Sequence, residues 1–458
     1  MPHPSESPFD SEAPHHRLRM PSSAPDSAMT SPPHRFLIRQ RWRLARSLAL
    51  AAGLLRSLVQ RGIGGTMQAI GRRMQPHPVA STKPAPVPPR NASGSGRLLL
   101  FIDLATPTPS RDSGSVRAHR ILQLAHELGW SLAFMPDNGQ LPDESARLLH
   151  ALDIELVGTP GQPRLDRWLQ HHGHRVEAVF LCRHQVARRH LQLLRAFTPA
   201  RIIFDTVDLH HVRLERAAQL HEDATLLKQA RQARAEEFQL IAETDATVVV
   251  SHAEREYLQQ AGVAQPVVVL SNIHDVVVAE RHIENTAGLL FVGGYQHHPN
   301  REAIAWLVQD IMPLLRKSVP GVVLHLVGEM PQADVARLAA PDIIVHGHVP
   351  AIEPFLRDSR INLAPLRSGA GVKGKINQAM SHGLPVVATS IAAEGMFLRH
   401  GENALIADSA EAFAAEVARL HDDPALWQQL SLNGYRNIEE HFSSNLARRT
   451  LAALLPPD

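Results

Sequence analysis

From Arg97 onward, short and almost wholly apolar runs alternate with segments of helical periodicity, and this limits the fold more than any other feature of the chain. Runs such as LLLFID and RIIFD, apolar at successive positions, suit strands buried on both faces, as in a parallel sheet covered by helices. SLAFM, AVFLC and ATVVV continue this first series, and PVVVLSN, Pro266 to Asn272, leads out of it. After the first strand, Ile121, Leu124, Ala125 and Leu128 share a helical face that stops at Gly129, a usual helix terminator. A second series starts at GLLFVGG and runs through VVLHLVG, DIIVHG, INLAPL and LPVVAT; Ile304, Leu307, Val308, Ile311 and Leu315 mark one of its helices. The pattern predicts an α/β chain of two doubly wound, Rossmann-like domains, residues 97–272 and 288–442, joined by a linker at 273–287 and followed by a C-terminal helix in 443–458. Ligands bind outside the carboxyl ends of strands in such sheets, so the two domains facing each other enclose a cleft.

Residues 1–34 are rich in Pro, Ser and His and read as a disordered tail, and residues 75–96 read as a linker. Between them, residues 35–74 hold nine arginines and no acidic residue, although the whole chain of 458 residues has a net charge of only +2. Leu44, Leu48, Leu55 and Leu58 recur at helical spacing there. The segment reads as a basic amphipathic arm, suited to an anionic membrane surface or to docking on a partner. Its longest uncharged apolar run, Ser47 to Leu55, is too short to span a bilayer, and the polar, Pro-rich start is unlike a secretory signal. The lone cysteine, Cys182, excludes an internal disulfide and a cysteine-built metal site and fits a reducing compartment. The expected location is the cytoplasm, with the arm at the inner membrane face.

SGAGVKGKINQAM contains Gly369-x4-Gly374-Lys375, one residue short of the phosphate-gripping P-loop. That loop needs a Ser or Thr hydroxyl for magnesium after its lysine, and here the residue is Ile376. The same stretch suits a diphosphate without metal: Lys373 and Lys375 stand where a helix, KINQAMSHG, begins and presents its positive end. Gly293-Gly294 and Gly328 are further glycine turns after strands, where backbone N–H groups approach an anion. Asp205, Asp208 and His210 follow RIIF, at a carboxyl strand end. Asp112, Ser113, Gly114 and Arg117 form a polar loop for acceptor hydroxyls or phosphate, or else a capped helix start. No Asp-x-Asp occurs, and His297-His298 lacks further close ligands, so no metal site is expected.

FVGGYQHHPNREAIAWL, VHGHVPAIEPFL, APLRSGAGVKGKINQAMSHGLPVVAT and AAEGM, in this order and spacing, resemble the nucleotide-sugar domain of GT-B glycosyltransferases of family 4, from Gly288 to about Phe442. DLATPTPSRDSGSVRAHR, FDTVDLHHVR and VVVVSHAERE resemble the acceptor-side domain more loosely. The resemblance implies retaining sugar transfer from a nucleotide-diphosphate sugar as co-substrate, with no cofactor, to a glycan or lipid-linked acceptor in envelope or surface polysaccharide synthesis. It places Lys375, with Lys373 as neighbour, at the diphosphate and Gly293 and Gly294 along the cleft. It puts the HGHVP turn, with His346 and His348, beside the base, and a first-domain histidine, His210 with Asp208 near it, at the donor sugar. Family members commonly carry two glutamates around the lysine; here those positions hold Ala370 and Gln378. Gln378 accepts a ribose hydroxyl bond without charge, and Glu394 offers an alternative carboxylate. The rival readings are a nucleotide-sugar epimerase and a catalytically inactive module in a polysaccharide assembly complex. Nucleic acid is not an expected partner, since the arginine arm comes with no reading fold.

Overall fold

Seven parallel strands form the first sheet: β1 (Leu98–Asp103), β2 (Ser131–Pro136), β3 (Glu155–Leu156), β4 (Val176–Cys182), β5 (Arg201–Asp205), β6 (Ala246–Val249) and β7 (Val267–Val269). Six make the second: β8 (Leu289–Val292), β9 (Leu324–Val327), β10 (Ile343–Gly347), β11 (Ile361–Ala364), β12 (Val386–Ala388) and β13 (Leu405–Ile406). This computed structural model describes residues 97–277, 281–369 and 371–455, which fall in one compact unit, Pro76–Asp458. The expectations for the tail, the basic arm and the linker up to residue 96, and for Ala370, lie outside the described residues.

The orders are β3-β2-β1-β4-β5-β6-β7 and β10-β9-β8-β11-β12-β13. Each sheet is wound outward in both directions from a central pair, so each has a switch point where neighbouring crossovers leave on opposite faces: between β1 and β4, and between β8 and β11. The central strands of each sheet are buried on both faces, as their unbroken apolar runs require, while β3, β7 and β10 are partly exposed. Phe101 pairs in register with Phe134 and Phe180, and the three rings stack at 5.6 and 5.4 Å, which fixes β2-β1-β4 as the centre of the first sheet. Cys182 ends β4 as a buried thiol, and burial pushes its pKa well up.

β3 and β13, two residues each, carry too short a pattern to announce themselves. The chain crosses between the sheets at residues 270–288 and again at its end. Ala447, Leu451, Leu454 and Leu455, on and just after the last helix, Ser444–Leu454, join the apolar core of the first half rather than that of the second.

Candidate active site

Three loops meet at the carboxyl ends of β8 and β11. Gly328 lies so close to Gly293 that a Cβ on it would come 2.3 Å from the Gly293 carbonyl oxygen, and its φ is +146°. Only glycine fits there. Asn300, in the first turn of helix His298–Trp306, donates to the Gly294 carbonyl at 3.0 Å and accepts from Lys375 Nζ at 2.9 Å. The Lys375 ammonium also sits 4.6 Å from the centre of the Phe291 ring. Among the described residues no carboxylate pairs with it, and burial, then neighbouring Lys373, pushes its pKa down to about 7. A desolvated ammonium beside a second cation is a favourable place for a dianion. Gln378 is one turn on in helix Gly374–Ser381, half-buried; its backbone carbonyl accepts from Ser381 and meets His382, and its side chain bonds to none of the described residues.

On the first sheet, backbone strain marks the same end. Arg183, after β4, has φ +66°, and Val207, after β5, has φ +63°, a costly conformation for a β-branched residue. Arg183 Nε donates to Asp103 at 2.8 Å, and Asp208 forms an ion pair with Arg213 at 2.9 Å. Arg213 also donates to His210 Nδ1 at 2.5 Å, which leaves the proton of the neutral imidazole on Nε2. Burial, then Arg213 and His184, lowers the His210 pKa, so neutral imidazole is the working form; its ring stacks on His184 at 4.5 Å.

Helix His210–His221 begins at Leu209, which supplies no side-chain cap. Two distant carboxylates replace it. Glu254 accepts the Leu209 N–H at 3.3 Å and the Val250 N–H at 3.0 Å; buried Glu237 accepts the N–H groups of His210 and His211 at 2.9 and 3.0 Å and the His211 ring at 2.5 Å. Burial pushes Glu254 up to about 7. Burial also works against a charged Glu237, but the hydrogen bonds from His211 and His210 outweigh it and its pKa is lowered.

The two halves touch along this face. A Cβ on Gly374 would stand 2.4 Å from Ser113 Cβ, one on Gly395 3.0 Å from Ser251 Cβ, and one on Gly371 3.6 Å from Asp208 Cβ. His297 feels Lys375 from its own half and Arg213 and Asp208 from the other. The structure therefore brings together Asp208, His210, Ser113, Gly293, Gly294, Lys373 and Lys375 around one seam.

Other expected site residues are occupied elsewhere. Arg117 is not in the acceptor loop: its buried guanidinium pairs with Asp205 at 2.6 and 3.2 Å and donates to the carbonyls of Leu270 and Ser271. Asp205 is buried under it. Asp112 caps helix Ser113–Glu127, accepting from Ser115 at 2.8 Å, and Gly114 has φ below zero, against Asp112 and Arg183. The His346 ring is committed to His325 at 2.9 Å and to the edge of Phe355, while His348 is exposed beyond Gly347. Glu394 is bound by Arg216, while Lys373 stays at the seam, buried and donating to the Gly371 carbonyl of its own loop. Asn300, Arg213, Arg216, Glu237 and Glu254 were not singled out from sequence. Asn300 had a signal, as a polar residue six positions after the Gly293-Gly294 pair at the start of a helix.

Known structures share this fold. Sucrose-phosphate synthase of Thermosynechococcus elongatus superimposes with a TM-score of 0.59 at 14% identity, over 78% of this chain and 98% of that one. HepE of Anabaena, solved with UDP-glucose, gives 0.58 at 15% identity, over 78% and 99%. WaaG, a glycosyltransferase involved in lipopolysaccharide biosynthesis, gives 0.54 at 12% identity, over 78% and 100%. The fold is GT-B.

Within this GT-B chain, residues 286–423 match the family model described as Glycosyl transferases group 1. Two curated sequences are similar. A protein of the cps region of Klebsiella pneumoniae, described as uncharacterized, is 25% identical over 169 residues, 35% of this chain and 44% of that one. The lipopolysaccharide core biosynthesis glycosyltransferase LpsE of Rhizobium meliloti is 26% identical over 213 residues, 44% and 61%. The chain thus spans about half the length of the curated relatives it matches. No helix among the described residues of the GT-B halves is long and apolar enough to cross a membrane.

Proposed function

We propose that the protein is a retaining, metal-independent glycosyltransferase that moves a hexose from a nucleotide-diphosphate sugar to a glycan or lipid-linked acceptor in envelope polysaccharide synthesis. The observation that carries this is Lys375 at the β11 loop, paired with no carboxylate among the described residues and brought down to about 7 by burial and by neighbouring Lys373, on the same seam as a neutral His210. In the proposed step the acceptor oxygen bonds to the anomeric carbon while the bond from that carbon to the diphosphate breaks. The acceptor proton passes to the departing diphosphate on the same sugar face. Lys375, Lys373 and the N-terminus of helix Gly374–Ser381 offset the charge that develops there. His210 Nε2–H donates to a sugar hydroxyl, and Gln378 accepts from the ribose. The cps-region and LpsE likenesses favour an envelope acceptor, and the nine arginines of residues 35–74 favour work at the cytoplasmic membrane face.

The test is transfer itself. The protein, given a panel of nucleotide sugars, a membrane extract as acceptor source and EDTA, is expected to release nucleoside diphosphate and form a product with the donor's anomeric configuration by NMR. Inverted product would end the retaining reading. Turnover that needs restored Mg²⁺ or Mn²⁺ would end metal independence. Conversion of a free nucleotide sugar without acceptor would indicate an epimerase.

A further inference from the structure

Arg216 lies on helix His210–His221 of the first half, yet every bond of its guanidinium goes to the second. Nη1 donates to Glu394 Oε2 at 2.5 Å and to the Gly369 carbonyl at 3.0 Å, and Nη2 donates to Glu394 Oε1 at 2.6 Å. Gly369 belongs to the loop after β11 that carries Lys373, and Glu394 follows β12, the next strand of the sheet. One side chain thus ties together two adjacent loops at the carboxyl end of a sheet to which it does not belong. Among the described residues no other group bonds the Glu394 carboxylate or the Gly369 carbonyl.

The charge arrangement gives this a consequence. Glu394 is the carboxylate whose field most favours a charged Lys373. Left free, it would turn toward that ammonium and neutralise a cation an anionic ligand needs. Bidentate capture by Arg216 holds both carboxylate oxygens and keeps the loop net positive. The contact exists only while the halves are together, and the small distances from Gly371, Gly374 and Gly395 to the facing first-half side chains show that they meet without intervening side chains. The side chains of the pair are 36% and 39% exposed, a setting in which an ion pair adds little net stability, so its removal leaves a folded protein.

We infer that Arg216 is a positioning residue that completes the nucleotide-diphosphate site from the opposite half of the molecule, without itself touching the nucleotide. The inference rests on the glycosyltransferase reading. It makes the shape of the donor loop depend on contact between the halves, so closure and nucleotide binding are linked in both directions.

The experiment is calorimetric binding of UDP, GDP, ADP and CDP to the full chain and to Arg216→Ala, Glu394→Ala, the double variant and the exchanged Arg216→Glu/Glu394→Arg, with a melting temperature for each. Arg216→Ala, which frees Glu394 to neutralise Lys373 and unties the Gly369 carbonyl, is expected to weaken the bound nucleotide about tenfold; Glu394→Ala, which removes that carboxylate along with the linkage, is expected to cost less, and the double variant no more than Arg216→Ala alone. The exchanged pair is expected to regain part of the loss, since the Gly369 carbonyl still lacks its donor. Melting temperatures are expected to stay within a few degrees of the parent. Unchanged nucleotide affinity in folded Arg216→Ala, or losses that add in the double variant, would overturn the role of Arg216 and leave the function standing. A parent protein that binds none of the four nucleotides would remove the glycosyltransferase reading and this inference with it.

Discussion

Lys375 is held by an amide oxygen and an aromatic ring, not by a carboxylate, and its pKa lies at about 7. A lysine with a depressed pKa is largely neutral at pH 8 in the empty site, and a diphosphate beside it raises that pKa. Nucleotide binding at pH 8 is therefore expected to take up a proton, and affinity is expected to fall as pH rises through 7. Calorimetry in buffers of different ionisation enthalpy reads this directly. In Lys375→Ala the uptake should shrink to what Lys373, at about 8, contributes, and turnover should fall about 10²-fold, the cost of removing a preorganised electrostatic group. Equal proton uptake in the variant would detach Lys375 from the anion. The lysine was legible because a cation at a glycine-rich helix start has few other uses. The neighbouring pairs were not. His210 faces the seam while His211 is buried between Glu237 and Tyr257; Glu236 pairs with Arg188 on the surface while Glu237 is buried. Adjacent identical residues carry no label saying which one the helix turns inward.

The helix His210–His221 carries Arg213 and Arg216, which reach the second half, and its start is fixed by carboxylates from two other helices, Ala224–Glu243 and His252–Gln260. Glu237→Gln exchanges one acceptor oxygen for a donor, where Oε1 faces the His210 N–H and Oε2 faces the backbone and ring N–H groups of His211. Breaking such a buried charged network costs about 3–5 kcal/mol, whereas Glu236→Gln, one residue earlier, should stay within about 0.5 kcal/mol. Urea unfolding of the two variants side by side tests this, and equal stabilities would mean that Glu237 does not hold the helix start. The strands β1, β2, β4, β5 and β6 were readable because parallel strands buried on both faces leave unbroken apolar runs. The cap on this helix was not, because a tertiary carboxylate 27 residues away does in space what a Ser or Asp at the start would have written locally.

At the scale of the molecule, the basic segment 35–74 and the last helix are opposite cases. For the first, the sequence supplies the argument: removing residues 1–96 is expected to leave nucleotide binding intact and to abolish flotation with anionic vesicles, and equal flotation of the shortened chain would exclude the arm as a membrane anchor. For Ser444–Leu454 the sequence shows one apolar face but not which core it fills. The structure answers that: Leu451 is fully buried with Leu454 in the core of the first half, beside Ile121, Leu124 and Leu270, although the chain reaches it only after the whole second half. Arg448 pairs with Glu127 and Ser444 bonds Asp275 at 2.8 Å, so polar ties seat the helix on the same side. The last helix thereby returns the chain to the first half, and its residues pack on the core of the sheet that comes first in the sequence. Leu451→Ala removes a buried side chain at a cost of about 2–5 kcal/mol, a large share of a typical net stability of about 5–15 kcal/mol. Hydrogen exchange should show protection falling in β1, β2 and β4 while β8, β11 and β12 keep theirs. If protection falls instead in the second sheet, or equally in both, the last helix does not belong energetically to the half on which it lies.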